Sequence, residues 1–189
     1  MMTISSRKLA LLALLTALVA AATRAIQIPT PATRGYVNLG DGMIFVAALL
    51  FGGGIGGLAG GVGSALADLL GGYASWALPT LIIKGLEGLL VGVLFGLTRR
   101  NMGQKLAVLW AVPILLVGGL WMVGGYYATE VYLYGWAAAA LGIPGNLFQA
   151  ITGVVVCIPV AAALARAGVT RPFLDRRAPG SESAGQQTS

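Results

Sequence analysis

The sequence contains no histidine, a single cysteine (Cys157) and few charged residues. Only 10% of its 189 residues are Asp, Glu, Lys or Arg. Without histidine a Ser-His-Asp triad is excluded, and a zinc site would have to be built from isolated carboxylates. A disulfide within the chain needs two cysteines and is excluded as well. We therefore expect a protein that is not an enzyme, with no catalytic residues, no metal and no cofactor.

Apolar residues take the place of the missing charge. They make up 57% of the chain, a further 29 residues are glycine, and the mean hydropathy is +0.85. A soluble domain has about 45–50% apolar and about 25% charged residues, so a core of this size cannot hide so much apolar surface from water. The sequence predicts an integral membrane protein in contact with lipid. The net charge of +6 comes from scattered basic residues without a basic stripe, so we expect no nucleic-acid partner.

Apolar stretches separated by polar or Gly/Pro-rich segments predict an all-α bundle of six transmembrane helices over residues 1–167. The remaining residues, 168–189, are rich in Arg, Ser, Gly and Gln and are expected to form a disordered cytoplasmic tail. The predicted helices cover about 9–28, 41–51, a third stretch ending at 70, 80–97, 106–128 and 144–167. Loops are expected at 29–40 and 129–143, and Pro113 is expected to kink the fifth helix.

Two segments leave alternatives open. Residues 9–22 also fit the apolar core of a signal peptide, although a first membrane helix is favoured because the rest of the chain reads as membrane-embedded. Residues 52–61 are dense in glycine and form either a turn between two short helices, which we favour, or part of one long broken helix. Within this segment Gly52, Gly56 and Gly60 are spaced for close helix packing.

The distribution of basic residues predicts the orientation. Six helices place both termini on one side, and a cytoplasmic N-terminus puts nine of the twelve basic residues in inner segments. Those nine are Arg7, Lys8, Arg99, Arg100, Lys105, Arg166, Arg171, Arg176 and Arg177. We therefore expect both termini in the cytoplasm and the protein in the plasma membrane of a prokaryote.

Four charged residues fall within or at the edges of the predicted helices: Asp41, Asp68, Lys84 and Glu87. Each costs about 2.5–3.5 kcal/mol at mid-bilayer, yet all four lie toward the outer half, and Glu130 follows on the same side. Their convergence predicts a polar pocket open to the outside. The alternatives are that Lys84 and Glu87, three residues apart, form an internal ion pair, that Asp41 caps its helix, and that Asp68 only closes the bundle.

Further polar and aromatic residues are predicted at the same level. Asn38, like the charged residues, is a candidate to contact the ligand or to support a residue that does. Asn146 and Gln149 offer amide donors and acceptors, or else connect helices to each other. Tyr73, Trp76 and Tyr127 are candidates for stacking on a flat ligand, or else belong to an interfacial aromatic belt.

The first helix carries a stripe of small residues at four-residue spacing, Ala13, Ala17 and Ala21. Such a stripe allows close approach of another helix. It serves either internal packing or the docking of another membrane protein.

Several segments resemble the substrate-binding S components of energy-coupling factor (ECF) vitamin transporters. They are 38–42 (Asn-Leu-Gly-Asp-Gly), 63–68 (Gly-Ser-Ala-Leu-Ala-Asp), 72–73 and 84–88 (Lys-Gly-Leu-Glu-Gly). The resemblance covers about residues 7–167 and is strongest to the branch that contains hydroxymethylpyrimidine, pyridoxine and riboflavin S components. It implies a six-helix subunit that captures a small water-soluble vitamin or precursor from outside. It also implies docking through Ala13 and Ala17 on a transmembrane coupling subunit, with two cytoplasmic ATPases driving uptake.

Three other functions also fit parts of the sequence. A stand-alone transporter or channel differs in not depending on a separate ATPase module. An intramembrane protease could use Asp41 and Asp68 as a carboxylate pair, but residue 38 is Asn where the usual Gly-x-Gly-Asp motif has Gly. A purely structural subunit would tolerate changes at Lys84 and Glu87.

Overall fold

The computed structural model describes residues 6–168, so most of the predicted tail lies outside the described residues. It contains six α-helices, which are α1 (Ser6–Ala25), α2 (Gly40–Phe51), α3 (Gly53–Gly71), α4 (Ala77–Leu109), α5 (Ala111–Tyr134) and α6 (Trp136–Arg166). Five helices are long and apolar enough to cross a membrane, and α2 is shorter, with 12 residues. The predicted all-α membrane bundle is confirmed.

A β-hairpin follows α1 where the sequence predicted an irregular loop at 29–40. Strand β1 (Gln27–Thr30) pairs antiparallel with β2 (Gly35–Asn38), so that Gln27 faces Asn38 across the ladder. Helix α1 accordingly ends at Ala25 rather than near residue 28. Four residues per strand are too few to show an alternating pattern, and Pro29 argued against a strand. A proline is tolerated here because each strand of a two-stranded sheet is an edge.

Two pairs of helices are separated by single glycines where longer connections were predicted from the sequence. Gly52 (φ 88°) lies between α2 and α3, and Gly135 (φ 83°) lies between α5 and α6. Side-chain-bearing residues rarely adopt this backbone conformation. The two helices favoured around residues 52–61 are confirmed, but the turn contracts to Gly52 and the other glycines are helical. The loop predicted at 129–143 is wrong, because the chain is helical on both sides of Gly135.

Helix α4 extends well beyond the predicted end at residue 97. It reaches Leu109, with an interruption at Gly103, whose φ of 83° and ψ of 169° are not helical. The polar residues after Leu97 therefore lie in helix rather than in a loop. The predicted fifth helix is interrupted next to Pro113: α4 ends at Leu109 and α5 begins at Ala111, so Pro113 is the third residue of α5, where its missing N–H has no partner to lose within that helix.

Glycines bring α2, α3 and α4 into close contact. A Cβ atom on Gly56 would lie 2.6 Å from Ala48 Cα, and one on Gly60 would lie 2.9 Å from Ile44 Cγ2. These two glycines pack as predicted, whereas a Cβ on Gly52 would meet nothing within 4 Å. Helix α3 thus packs against α1, α2 and α4, which fixes the central helices of the bundle.

The two ends of the bundle differ in charge. One end, here called the hairpin end, comprises the hairpin, the last turns of α1, α3 and α5 and the first turns of α2, α4 and α6. The carboxylates among residues 6–168 all belong to this half: Asp41, Asp68, Glu87 and Glu130. At the opposite basic end, α1, α4 and α6 carry Arg7, Lys8, Arg99, Arg100, Lys105 and Arg166.

Candidate functional site

A cavity at the hairpin end is lined by polar residues from five helices and the hairpin. It encloses about 490 Å³ of empty space, its opening included. All lining residues except the two glycines carry a polar atom in the side chain. They are Thr23, Thr30, Gly35, Tyr36, Asn38, Ser64, Asp68, Trp76, Thr80, Lys84, Tyr126, Glu130, Gly142, Asn146 and Gln149. So many polar groups within a membrane bundle are costly and indicate a binding site.

Lys84 lies at the base of the cavity and connects it to two carboxylates behind it. Its Nζ donates a hydrogen bond to Asp41 Oδ1 and lies 3.2 Å from Glu87 Oε2. All three side chains are almost completely buried, with at most 1% exposed. Buried charges require such partners, because removing an ion from water costs several kcal/mol. This triad of Asp41, Lys84 and Glu87 therefore holds the Lys84 ammonium in one position facing the cavity.

Gln149 extends the triad toward the hairpin. Its Nε2 donates to Asp41 Oδ1 and Oδ2, at 3.2 Å each, and its Oε1 accepts the Asn38 backbone N–H at 2.8 Å. Asn38 Oδ1 in turn accepts the Gly40 N–H at 2.8 Å, at the start of α2. These bonds tie the end of β2 to α2 and α6, so the hairpin position and the triad depend on one another.

Tyr36 fastens the hairpin to α3. Its hydroxyl donates to Asp68 Oδ1 at 2.5 Å, and its ring lies 4.5 Å, centroid to centroid, from the ring of Tyr73. Burial, followed by the neighbouring carboxylate, raises the pKa of the Tyr36 phenol above its ordinary value. The hydroxyl therefore stays protonated and remains a donor to Asp68 at neutral pH.

Aromatic rings form one wall of the cavity. The Trp76 and Tyr126 rings meet edge to face with centroids 5.8 Å apart, and Tyr126 donates to Thr80 Oγ1 at 3.2 Å. The Lys84 ammonium lies 5.6 Å from the centre of the Tyr126 ring, within the range of a cation–π interaction. This wall offers a flat ligand a surface for stacking.

Several buried polar atoms that line the cavity have no hydrogen-bond partner among residues 6–168. They are Thr23 Oγ1, Ser64 Oγ, Asp68 Oδ2, Trp76 Nε1 and Glu130 Oε2. A buried polar atom without a partner costs about 1–3 kcal/mol, and most buried polar atoms in proteins have one. Their concentration around one space indicates that a polar ligand or water completes them.

The predicted site residues fall into three groups. Asn38, Trp76, Lys84, Asn146 and Gln149 line the cavity. Asp41 and Glu87 lie behind Lys84, and Tyr73 lies behind Tyr36. Tyr127 packs against Trp136, with ring centroids 6.1 Å apart, and does not line the cavity.

Other cavity residues were not singled out from the sequence: Thr23, Thr30, Ser64 and Thr80. A usable signal existed for two of them. Thr80 precedes Lys84 by four residues, and Ser64 precedes Asp68 by four, which places each pair on one helix face. Asp68, left open between ligand contact and bundle closure, lines the cavity, as do Tyr36, Tyr126 and Glu130.

The alanine stripe of α1 faces away from the bundle. Ala13, Ala17 and Ala21 are exposed, whereas Leu15 and Val19 are buried. Internal packing of the stripe, one of the two alternatives, is therefore wrong. Among residues 6–168, no three His, Cys, Asp or Glu side chains cluster closely enough to hold a metal ion.

Comparison with known proteins identifies the family. Residues 3–166 match the family described as "ECF-type riboflavin transporter, S component". The chain is 33% identical over 168 residues to the "thiamine precursor transporter HmpT" of Lactococcus lactis subsp. cremoris (strain MG1363), which covers 88% of this chain and 93% of that protein. It is 45% identical over 134 residues to a Pyrococcus woesei protein named "uncharacterized protein in gap 3′region", covering 71% of this chain and 85% of that protein.

These matches span nearly the whole bundle and agree with the resemblance found in its motifs. The chain belongs to the ECF-type riboflavin transporter S component family and is a multi-pass membrane subunit that binds a vitamin or vitamin precursor for an energy-coupling factor transporter.

Proposed function

We propose that the cavity at the hairpin end captures a compact thiamine precursor of the hydroxymethylpyrimidine class. The observation that carries the proposal is the ring of unpartnered buried atoms around the cavity, which includes two carboxylate oxygens, Asp68 Oδ2 and Glu130 Oε2. Carboxylate oxygens accept hydrogen bonds from the amino and hydroxyl groups of a ligand. The name of the Lactococcus relative, a thiamine precursor transporter, supports the same class.

The remaining cavity groups complement the rest of such a molecule. Trp76 Nε1 is a donor without a partner among residues 6–168 and suits a ring nitrogen of the ligand, while Lys84 offers a charged donor. The Trp76 and Tyr126 rings provide a stacking surface for a pyrimidine. In this assignment Lys84, Asn38, Asn146 and Gln149 contact the ligand. Asp41 and Glu87 hold Lys84 in place.

The test is a fluorescence titration of the purified chain with hydroxymethylpyrimidine, pyridoxine, thiamine and riboflavin. Trp76 lines the cavity, so its emission reports occupancy. We expect saturable quenching by hydroxymethylpyrimidine that disappears in Trp76→Phe, because the other three tryptophans lie outside the lining. Quenching that persists in Trp76→Phe, or no response from folded protein, would contradict binding in this cavity.

Riboflavin is the second candidate, because the description of the family names it. A flavin is much larger than a single pyrimidine and would fill far more of the cavity. Tighter binding of riboflavin than of hydroxymethylpyrimidine in the same titration would overturn the proposed ligand class while leaving the site in place.

The hairpin end is proposed to face outward, with both termini in the cytoplasm. The excess of basic residues at the opposite end supports this orientation. Introduced cysteines provide the test, since the native Cys157 is buried. In intact cells an impermeant maleimide should label Ser75→Cys, which is exposed at the hairpin end, and not Gln104→Cys, which is exposed at the basic end. The reverse pattern would contradict the orientation.

The exposed alanine stripe is proposed to dock on the transmembrane coupling subunit, which two cytoplasmic ATPases then drive. Exposure of Ala13, Ala17 and Ala21 supports this role because a flat face lets another helix approach closely. Ala17→Leu should leave ligand binding intact and stop uptake. Ala128→Leu, at an exposed alanine of α5, should affect neither. Uptake that persists in cells lacking the ATPases would instead favour a stand-alone transporter.

A further inference from the structure

A second cavity, here called the basic-end groove, lies far from the ligand cavity. It runs between the last turn of α2, the second half of α4, the first turn of α5 and the last turns of α6, and encloses about 1200 Å³ including its open side. Its walls are apolar apart from Arg99 and Gln104 and include Leu50, Phe95, Val112 and Ile158. Val112 and Ile158 are also exposed, so the groove opens sideways on the surface that contacts lipid.

The interruption of α4 at Gly103 shapes this groove. The residues after it place Gln104 and Val108 along the groove wall. The same short segment exposes Lys105 and ends next to Trp110, which is half exposed. Lysine and tryptophan side by side are typical of a membrane–water interface. The groove therefore begins near the level of lipid headgroups and continues into the apolar part of the bundle.

Arg99 lies at the polar edge of the groove, and no carboxylate among residues 6–168 pairs with it. Its side chain is partly buried and lines the groove, and it forms no ion pair or hydrogen bond with any other residue in the range 6–168. The carboxylates of that range all lie in the hairpin half of the bundle. A guanidinium held beside an apolar channel suits a phosphate, which it can bind with two parallel hydrogen bonds.

We infer that the basic-end groove binds one anionic phospholipid, with the phosphate on Arg99 and an acyl chain along Phe95, Val112 and Ile158. Charge complementarity favours this occupant. The chain's own segment 169–189 carries three arginines against two acidic residues, so as a whole it is a poorer electrostatic match for Arg99 than an anionic lipid is. An apolar groove between α3 and α4, lined by Leu58, Leu81 and Leu89 among others, has no charged lining residue and provides an internal comparison.

Native mass spectrometry of the full chain, titrated with dioleoyl phosphatidylglycerol or dioleoyl phosphatidylcholine, tests the inference. We expect one phosphatidylglycerol to bind in preference to phosphatidylcholine. Arg99→Gln should lower that affinity about fivefold, the equivalent of about 1 kcal/mol for one basic residue near a lipid phosphate. Lys105→Gln is the matched control, since it removes one exposed charge at the same end without touching the groove.

A second pair of variants tests the acyl-chain position. Ala162→Phe places a ring in the groove, whereas Ala163→Phe places one on an exposed neighbour outside it. Only the first should reduce lipid binding, with both variants melting like the unmodified protein. If Arg99→Gln and Lys105→Gln lower the affinity for phosphatidylglycerol equally, the preference reflects general surface charge and the proposed site is wrong. Unchanged lipid binding in Arg99→Gln together with lost assembly with the coupling subunit would assign the groove to a protein partner and overturn it too.

Discussion

The two ends of the bundle handle charge in opposite ways. At the hairpin end Arg24 and Arg34 are exposed, but the charged groups around the cavity are buried, and Asp41, Lys84 and Glu87 hold one another in place as a triad. At the basic end Arg100 and Lys105 are exposed, and neither forms an ion pair within residues 6–168. Buried charges are costly to leave without partners, while exposed charges contribute little to stability. Charge at the first end therefore builds the cavity, whereas charge at the second supports the proposed orientation and the proposed lipid contact.

The largest expected effect comes from removing the centre of the triad. Lys84→Met leaves Asp41 and Glu87 buried without a cation, which should destabilise the protein by about 3–5 kcal/mol and abolish ligand binding. The triple variant Asp41→Asn, Lys84→Met and Glu87→Gln removes all three charges and should recover most of the stability without recovering binding. Thermal melting in detergent and ligand titration measure the two quantities. A stable Lys84→Met variant that still binds ligand would show that the triad has neither role.

A change in the cavity wall should affect affinity more than folding. Asp68→Asn removes a carboxylate that lines the cavity and whose Oδ2 has no hydrogen-bond partner among residues 6–168. The substitution should weaken binding about tenfold or more, as for a hydrogen bond to a charged group. Tyr36→Phe removes only the bond to Asp68 and should have a smaller effect. Tyr127→Phe, outside the cavity, is the control and should bind normally. Equal ligand affinities in Asp68→Asn and Tyr127→Phe would show that Asp68 does not contribute to binding.

Alkaline pH should weaken the attachment of the hairpin. The pKa of Tyr36 is raised in the folded protein, so its contribution to stability is complete below about pH 10, the ordinary tyrosine pKa. Above that pH the unfolded chain loses the phenol proton while the folded chain keeps it, and the free energy of unfolding falls. Unfolding measured from pH 8 to 11 should show a smaller decline in Tyr36→Phe. Tyr132→Phe, at a residue that is 88% exposed, should decline like the unmodified protein.

The smallest effects are expected at the basic end. Arg100→Gln or Lys105→Gln should change the free energy of unfolding by no more than about 0.5 kcal/mol, because both side chains are exposed. Ligand affinity should not change, since the cavity lies at the other end. Melting curves and ligand titrations of these variants measure both quantities. A loss of stability or affinity comparable to that in Lys84→Met would show that the two ends do not differ in this way.

The helices and the charged core of the site were predictable because membrane insertion leaves strong signals. Long apolar stretches identified the bundle, and charged residues such as Lys84 and Glu87 stand out in them because each is costly. Helix boundaries were less predictable. Gly52 interrupts the helical conformation and Gly54 does not, although both lie in the same glycine-rich segment. Glycine recurs throughout residues 52–61, so the local sequence does not single out Gly52.

Contacts across the bundle explain the remaining errors at the site. Tyr126 lines the cavity while Tyr127 packs against Trp136. Adjacent helical residues point about 100° apart, and the sequence alone did not determine which of the two turns inward. Thr23 and Ser64 are small polar residues that are common in membrane helices, so their placement in the cavity depends on how α1 and α3 pack.

The short length of α2 has a consequence for the surrounding bilayer. Its 12 residues span about 18 Å at 1.5 Å per residue, whereas the hydrocarbon core is about 30 Å thick. One end of α2 must therefore lie within the hydrocarbon layer, or the layer must thin around it. Either adjustment carries an elastic cost that grows with membrane thickness. We therefore expect the position of Asp41, and with it the shape of the cavity, to change with the thickness of the surrounding membrane.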